Sequence, residues 1–140
     1  MNRISGSLNA LLCALLLSSC VSVSDFASSR PNLPHNETRW FQVEELAENS
    51  VVQTSVLAVQ GLDNGNSRWI LSDPFGVPQA RMIATEHGWQ KDGFAPPNRT
   101  AQNMFVQMFP LLQNHFRQPE IIEIKGKKWK ISPIVQEYSR

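Results

Sequence analysis

Cys20 is the residue best placed for covalent chemistry: its thiol follows Leu17-Ser18-Ser19, so only two small side chains separate it from an apolar run. Sulfur is intrinsically nucleophilic and can take an alkyl group as a thioether, and small residues before it leave an extended backbone that a peptidase can grip. Elsewhere the reactive residue types do not converge. His35, His87 and His115 show no metal-ligand spacing, and no cysteine or second carboxylate is placed to help them. Gly-x-Ser-x-Gly, Ser-x-x-Lys, Walker-type and His-Glu-x-x-His patterns are all absent. Glu44-Glu45 is the only adjacent acidic pair, and neighbours on a strand point to opposite faces instead of converging as acid and base. The expectation is a protein without catalytic residues, metal or cofactor.

The segment that positions Cys20 reads as an export signal. Residues 1–19 carry one charge, on Arg3, and none from Ile4 to Ser19, around the core Ala10-Leu11-Leu12-Cys13-Ala14-Leu15-Leu16-Leu17. That uncharged stretch falls short of the ~20 predominantly apolar residues of a spanning helix, so a cleaved signal is the better reading. Leu17-Ser18-Ser19-Cys20 resembles the lipobox of bacterial lipoproteins. The resemblance implies cleavage before Cys20, a diacylglycerol on its sulfur, and long acyl chains, palmitate among them, that hold the mature chain on a membrane. Each buried methylene contributes roughly 0.8 kcal/mol, so several chains anchor far more firmly than one. Position 21 is Val and not the Asp that serves enteric bacteria as an inner-membrane retention signal. The expected address is therefore the outer membrane, facing the periplasm. Cys20→Ala should abolish both incorporation of a labelled fatty acid and processing by signal peptidase II; label at the wild-type level would refute the lipobox reading.

Loss of residues 1–19 removes Cys13 and one of the 13 basic residues, leaving 12 acidic residues matched by as many basic ones. The mature chain then has no thiol pair for a disulfide, and its neutral balance argues against nucleic acid or a polybasic membrane contact. From Val21 to about Glu37 the sequence is rich in Ser, Asn and Pro, the composition of a tether. The expected organisation is a signal peptide at 1–19, a lipidated N-terminus and tether at 20–37, and one domain at 38–140.

Within that domain, period-2 patterning and β-branched residues predict strands at Trp40–Leu46, where a short helix is the alternative, and at Val51–Gln60, Arg68–Ser72, Gln79–Thr85, Gly88–Lys91, Glu120–Lys125 and Lys128–Ile134. Asn64-Gly65 suits positive φ in a turn. Asp73-Pro74-Phe75-Gly76-Val77-Pro78 supplies a second turn, and Gly126-Lys127 is expected to close a last hairpin with Ile122, Ile124, Trp129 and Ile131 on one side. Asn98 or Thr100 can cap a helix after Pro96-Pro97, in which Ala101, Met104, Phe105, Met108, Phe109 and Leu112 share a face. Pro110 should stop or kink that helix near Phe109. The fold class this predicts is α+β, a mainly antiparallel sheet with one hydrophobic face covered by one main helix.

Apolar side chains are the remaining candidates for function. Trp40, Trp69, Trp89 and Trp129 fall on four strands, and Met82, Met104 and Met108 join Phe105, Phe109 and Phe116. Such residues build a plain core, or they line a cleft for an acyl chain, which flexible thioethers and flat rings suit. The run from Ser72-Asp73-Pro74-Phe75-Gly76 through the apolar strand Ala80–Ala84 and Gly88-Trp89 to the Pro-Pro-Asn-capped helix resembles the lipoprotein-localisation factors typified by LolA and LolB, in particular small LolB-like lipoproteins. The resemblance implies a half-open antiparallel barrel under a helical lid, whose apolar inside receives acyl chains of lipoproteins or other lipids for transfer or insertion. It also implies that Phe75, between Pro74 and Gly76, is directed at the membrane; from the residues alone, an aromatic in so tight a turn needs an apolar destination, which is either the protein's own core or a lipid. Only one clear hairpin follows the helix, so the implied barrel is a small one. The expected cleft is lined by Leu57, Trp69, Ile70 and Met82 from the sheet, with strand phase open, and by Met104, Phe105 and Met108 from the helix. The competing expectation is a non-catalytic structural or interaction lipoprotein with a closed core.

Overall fold

Alternation of apolar and polar side chains becomes a sheet wherever one face can be buried, and here it does so seven times. The computed structural model describes residues 33–114 and 116–135. Its strands are β1 (Thr38–Ala47), β2 (Ser50–Gly61), β3 (Ser67–Ser72), β4 (Pro78–Thr85), β5 (Gly88–Lys91), β6 (Glu120–Ile124) and β7 (Lys127–Ile134), with one helix, α1 (Arg99–Gln113), between β5 and β6. Every strand pair is antiparallel, in the order β5-β4-β3-β2-β1-β7-β6, and the sheet curls into a half-barrel. Along β2, Ser55, Leu57 and Val59 turn inward while Thr54, Val56 and Ala58 turn out. The helix lays Ala101, Met104, Phe105, Met108, Phe109 and Leu112 onto the concave face, and the core forms between them.

Three two-strand connections fall at one end of the half-barrel: Glu48-Asn49, Asp73–Val77 and Lys125-Gly126. The last turn lies one residue earlier than expected, with positive φ at Lys125 and Gly126, which sets Ile122 opposite Trp129 and keeps Ile122, Ile124, Trp129 and Ile131 buried together. At the opposite end, Asn64 and Gly65 take the positive φ expected of them.

Two boundaries differ from expectation. The helix does not stop at Phe109; it runs through Pro110 to Gln113. A proline there withholds the N–H that would reach Val106, four residues back. Val106 and Pro110 both lie on the exposed side, where water can satisfy the freed carbonyl, and the extra turn buries Leu112. Asn98 caps the start: its Oδ1 accepts from the Ala101 N–H at 3.0 Å.

The packed domain also begins before Thr38, because Leu33, read from sequence as tether, is buried in the core. Its backbone runs against Gly61, whose N–H donates to Glu37 O at 2.8 Å and whose carbonyl accepts from Asn36 N–H at 3.1 Å. A Cβ on Gly61 would lie 2.1 Å from the Pro34 carbonyl oxygen and 2.8 Å from that of Leu33. Gly61→Ala should therefore cost roughly 1–3 kcal/mol through forced backbone movement, read as a lower melting temperature; an unchanged one would mean that Leu33 and Pro34 are not held against the sheet.

Candidate functional site

Five of the residues expected to line an apolar cleft meet on the concave face: Leu57 and Trp69 from the sheet, and Met104, Phe105 and Met108 from α1. None exceeds 1% exposure. The Trp69 ring lies 5.2 Å from Trp89, 5.4 Å from Phe105 and 6.1 Å from Phe109 between centroids, and its Nε1–H donates to Ser67 Oγ at 2.8 Å inside the core. These side chains fill the middle of the half-barrel themselves. Met82 is buried on the same face. Ile70 is not with them: the alternation that turns Trp69 and Leu71 inward places Ile70 on the outer face, opposite Ala58 and Arg81.

Open space lies higher, at the end with the three turns. β3 stops at Ser72, opposite Val56, so the first residues of β2 continue with β1 alone as partner. The notch this leaves is a cleft of about 250 Å³. Val43, Leu71, Ala101, Met104 and Trp129 give it an apolar floor, under polar groups from Glu45, Gln53, Ser55, Gln79, Asn98, Thr100 and Lys127. Ser55 Oγ and Gln79 Oε1 are 2.9 Å apart, and Lys127 Nζ lies 3.0 Å from Glu45 Oε1. Of the residues expected to line a site, only Met104 lines this cleft.

Beside the notch, the β3–β4 connection holds Phe75 out. Asp73 Oδ1 accepts from the N–H groups of Phe75 and Val77, both at 2.9 Å. Asp73 N–H donates to Val77 O, and Gly76 N–H to Asp73 O, both at 3.0 Å, with Gly76 at φ 85°. In this braced turn Phe75 is 92% exposed, so its destination is not the protein's own core. Pro74 and Val77 are exposed next to it, and Val51 and Val52 are exposed near the tip of the β1–β2 hairpin at the same end.

No family model, no curated protein and no solved structure matches the chain. Site geometry therefore carries the functional reading.

Charged groups elsewhere are paired in ways that tie elements together. Glu44 and Glu45 do point to opposite faces: Glu44 reaches Lys130 at 3.6 Å on the outside, Glu45 reaches Lys127 on the inside. Asp92 bridges Arg68 and Arg81 at 2.9 and 3.1 Å, fastening the segment after β5 to β3 and β4. His35 pairs with Asp63 and His87 with Glu86 on the surface; His115 and Cys20 lie outside the described residues. Among the described residues no helix is long and apolar enough to cross a membrane. Sequence reasoning missed Val51 and Val52 as surface residues because an alternating β-branched strand reads as core. It also missed Phe94, wholly exposed between Gly93 and Pro96, although an aromatic among turn formers is the signal that singled out Phe75.

Proposed function

We propose that this chain is a non-catalytic lipoprotein of the outer membrane, facing the periplasm, that works at a lipid surface and handles acyl chains of lipoproteins or other lipids during transfer or insertion. The observation that carries the reading is the Phe75 turn. Four hydrogen bonds around Asp73 keep an aromatic side chain in water, where it forgoes roughly 1.5–3 kcal/mol of burial. Lipid is a destination that recovers that energy, and Val77, Val51 and Val52 would enter with it. The cleft beside the turn takes the role first given to the middle of the barrel. At about 250 Å³ it is smaller than the roughly 300–1,000 Å³ typical of a site that encloses a whole ligand. It fits the end of an acyl chain laid on Met104, Leu71 and Trp129 while the remainder stays in the bilayer. The LolB-like resemblance supports the same reading through Phe75, and its implied barrel-filling ligand is replaced by a shallow contact.

A second reading rests on the filled core: Leu57, Trp69, Phe105 and Met108 leave no exposed surface of their own, as in an interaction lipoprotein that docks by its surface. Thr100→Trp separates the two. Thr100 is exposed at the cleft rim, so an indole there plugs the cleft without entering the core. On the acyl-chain reading, a fluorescent fatty acid should bind about tenfold more weakly, roughly 1.4 kcal/mol, with an unchanged melting temperature. Equal binding by a folded Thr100→Trp protein would favour the docking reading.

A further inference from the structure

The neutral balance of the mature chain conceals, at the end that carries Phe75, a cleft whose charged lining residues are all cations. A second cleft, about 200 Å³, lies between the first turn of α1 and the β6–β7 hairpin. Arg99, Lys125 and Lys127 line it together with Thr100 and Asn103, over an apolar floor of Ile124 and Trp129. No carboxylate lines it. Lys127 is held by Glu45 in the neighbouring cleft, whereas Arg99 and Lys125 have no acidic partner among the described residues. The two clefts share Thr100, Lys127 and Trp129 as common walls. The cationic lining of the one cleft and the apolar floor of the other thus adjoin across one tryptophan, the order of groups along an anionic amphiphile.

Resting on the lipid-surface reading, we propose that the cleft bounded by Arg99, Lys125 and Lys127 holds the phosphate of an anionic lipid headgroup while the adjoining cleft takes part of its acyl chain. The Arg99 guanidinium and the Lys125 ammonium, unpaired among the described residues, can each donate charge-assisted hydrogen bonds to phosphate oxygens, and the first-turn N–H groups of α1 add partial positive charge on the same side. Phe75 supplies lipid contact in general; this cleft supplies the preference among lipids.

The test uses the mature chain from residue 20 with Cys20→Ser, which keeps every core residue from Leu33 to Ile131, and co-sedimentation with vesicles of phosphatidylcholine alone or mixed with phosphatidylglycerol. The protein should bind the mixed vesicles about tenfold more tightly. Arg99→Gln with Lys125→Gln should erase that preference and leave binding to phosphatidylcholine intact. Lys91→Gln with Lys128→Gln, an equal loss of charge outside the cleft, should keep it. Equal loss in both double variants would overturn the proposal in favour of diffuse attraction. Binding to both vesicles without preference would overturn it while leaving the Phe75 reading in place, and binding to neither would overturn both. Inorganic phosphate that shifts the Arg99 and Lys125 signals in a vesicle-free NMR titration, with no vesicle preference, would reassign the cleft to a free anion.

Discussion

Trp69→Ala is expected to destabilise the protein by about 3–5 kcal/mol, the range for removing a large aromatic from a packed core. Trp69 is fully buried, touches Trp89, Phe105 and Phe109, and donates its one N–H to Ser67 Oγ. Truncation leaves a cavity among rings from β5 and the helix, and it strips a buried hydroxyl of its partner. Against a total of roughly 5–15 kcal/mol for an ordinary domain, that loss should show as a much lower denaturant midpoint. It also bears on function. In an open acyl-chain barrel the indole would be a lining residue, and its removal would enlarge the cavity at small cost. A Trp69→Ala protein as stable as wild type, with stronger binding of a fatty acid, would restore the central cleft that the packing argues against.

The same residue shows why the fold was legible in the sequence and the site was not. Alternation assigns strands without knowing which face is inner, so Trp69 and Ile70 were both candidates, and only the pairing of Trp69 with the buried Val59 and Met82 decided between them. Helical spacing found the face Ala101, Met104, Phe105, Met108 and Leu112 because a 3.6 period leaves one apolar stripe. It could not tell whether that stripe lines a cavity or fills one, since both need the same residue types. At Pro110 two local signals conflicted, since a proline favours a break there while the helical spacing runs on to Leu112; the burial of Leu112 decides for continuation. Leu33 was hidden among polar neighbours and counted as tether. The cleft itself depends on β2 outrunning β3, a difference in strand length that no residue type marks. The turn around Phe75 was legible because Asp73, Pro74 and Gly76 specify it locally, but whether its aromatic faced the core or solvent was not, since either destination suits the same residue.

Phe75→Glu should leave stability almost untouched and remove most membrane binding. A side chain 92% exposed makes few contacts to lose, and surface substitutions away from caps and buried partners usually fall within about 0.5 kcal/mol. The bracing bonds of the turn come from Asp73 and the backbone, which the substitution keeps. In lipid, the phenyl ring contributes roughly 1.5–3 kcal/mol and a carboxylate would have to be desolvated, so vesicle affinity should fall by at least about tenfold. Thermal denaturation and vesicle co-sedimentation of the same preparation give both readings. A drop of many degrees in melting temperature would mean that Phe75 has a place in the core after all, and unchanged vesicle binding would detach the turn from any membrane role.

The central claim, that the Phe75 turn enters lipid, is tested most directly by a nitroxide at position 75. Cys13 and Cys20 are the only cysteines in the sequence, so the chain from residue 20 with Cys20→Ser and Phe75→Cys carries a single labelling site. A second protein labelled through Gln90→Cys, at an exposed position on the edge strand β5, reports a surface away from the turn. On adding vesicles, the label at 75 should gain accessibility to oxygen and lose it to a water-soluble nickel complex, while the label at 90 should remain in water. A label at 75 that stays as accessible to the nickel complex as before, in protein shown to be bound to the vesicles, would contradict the account.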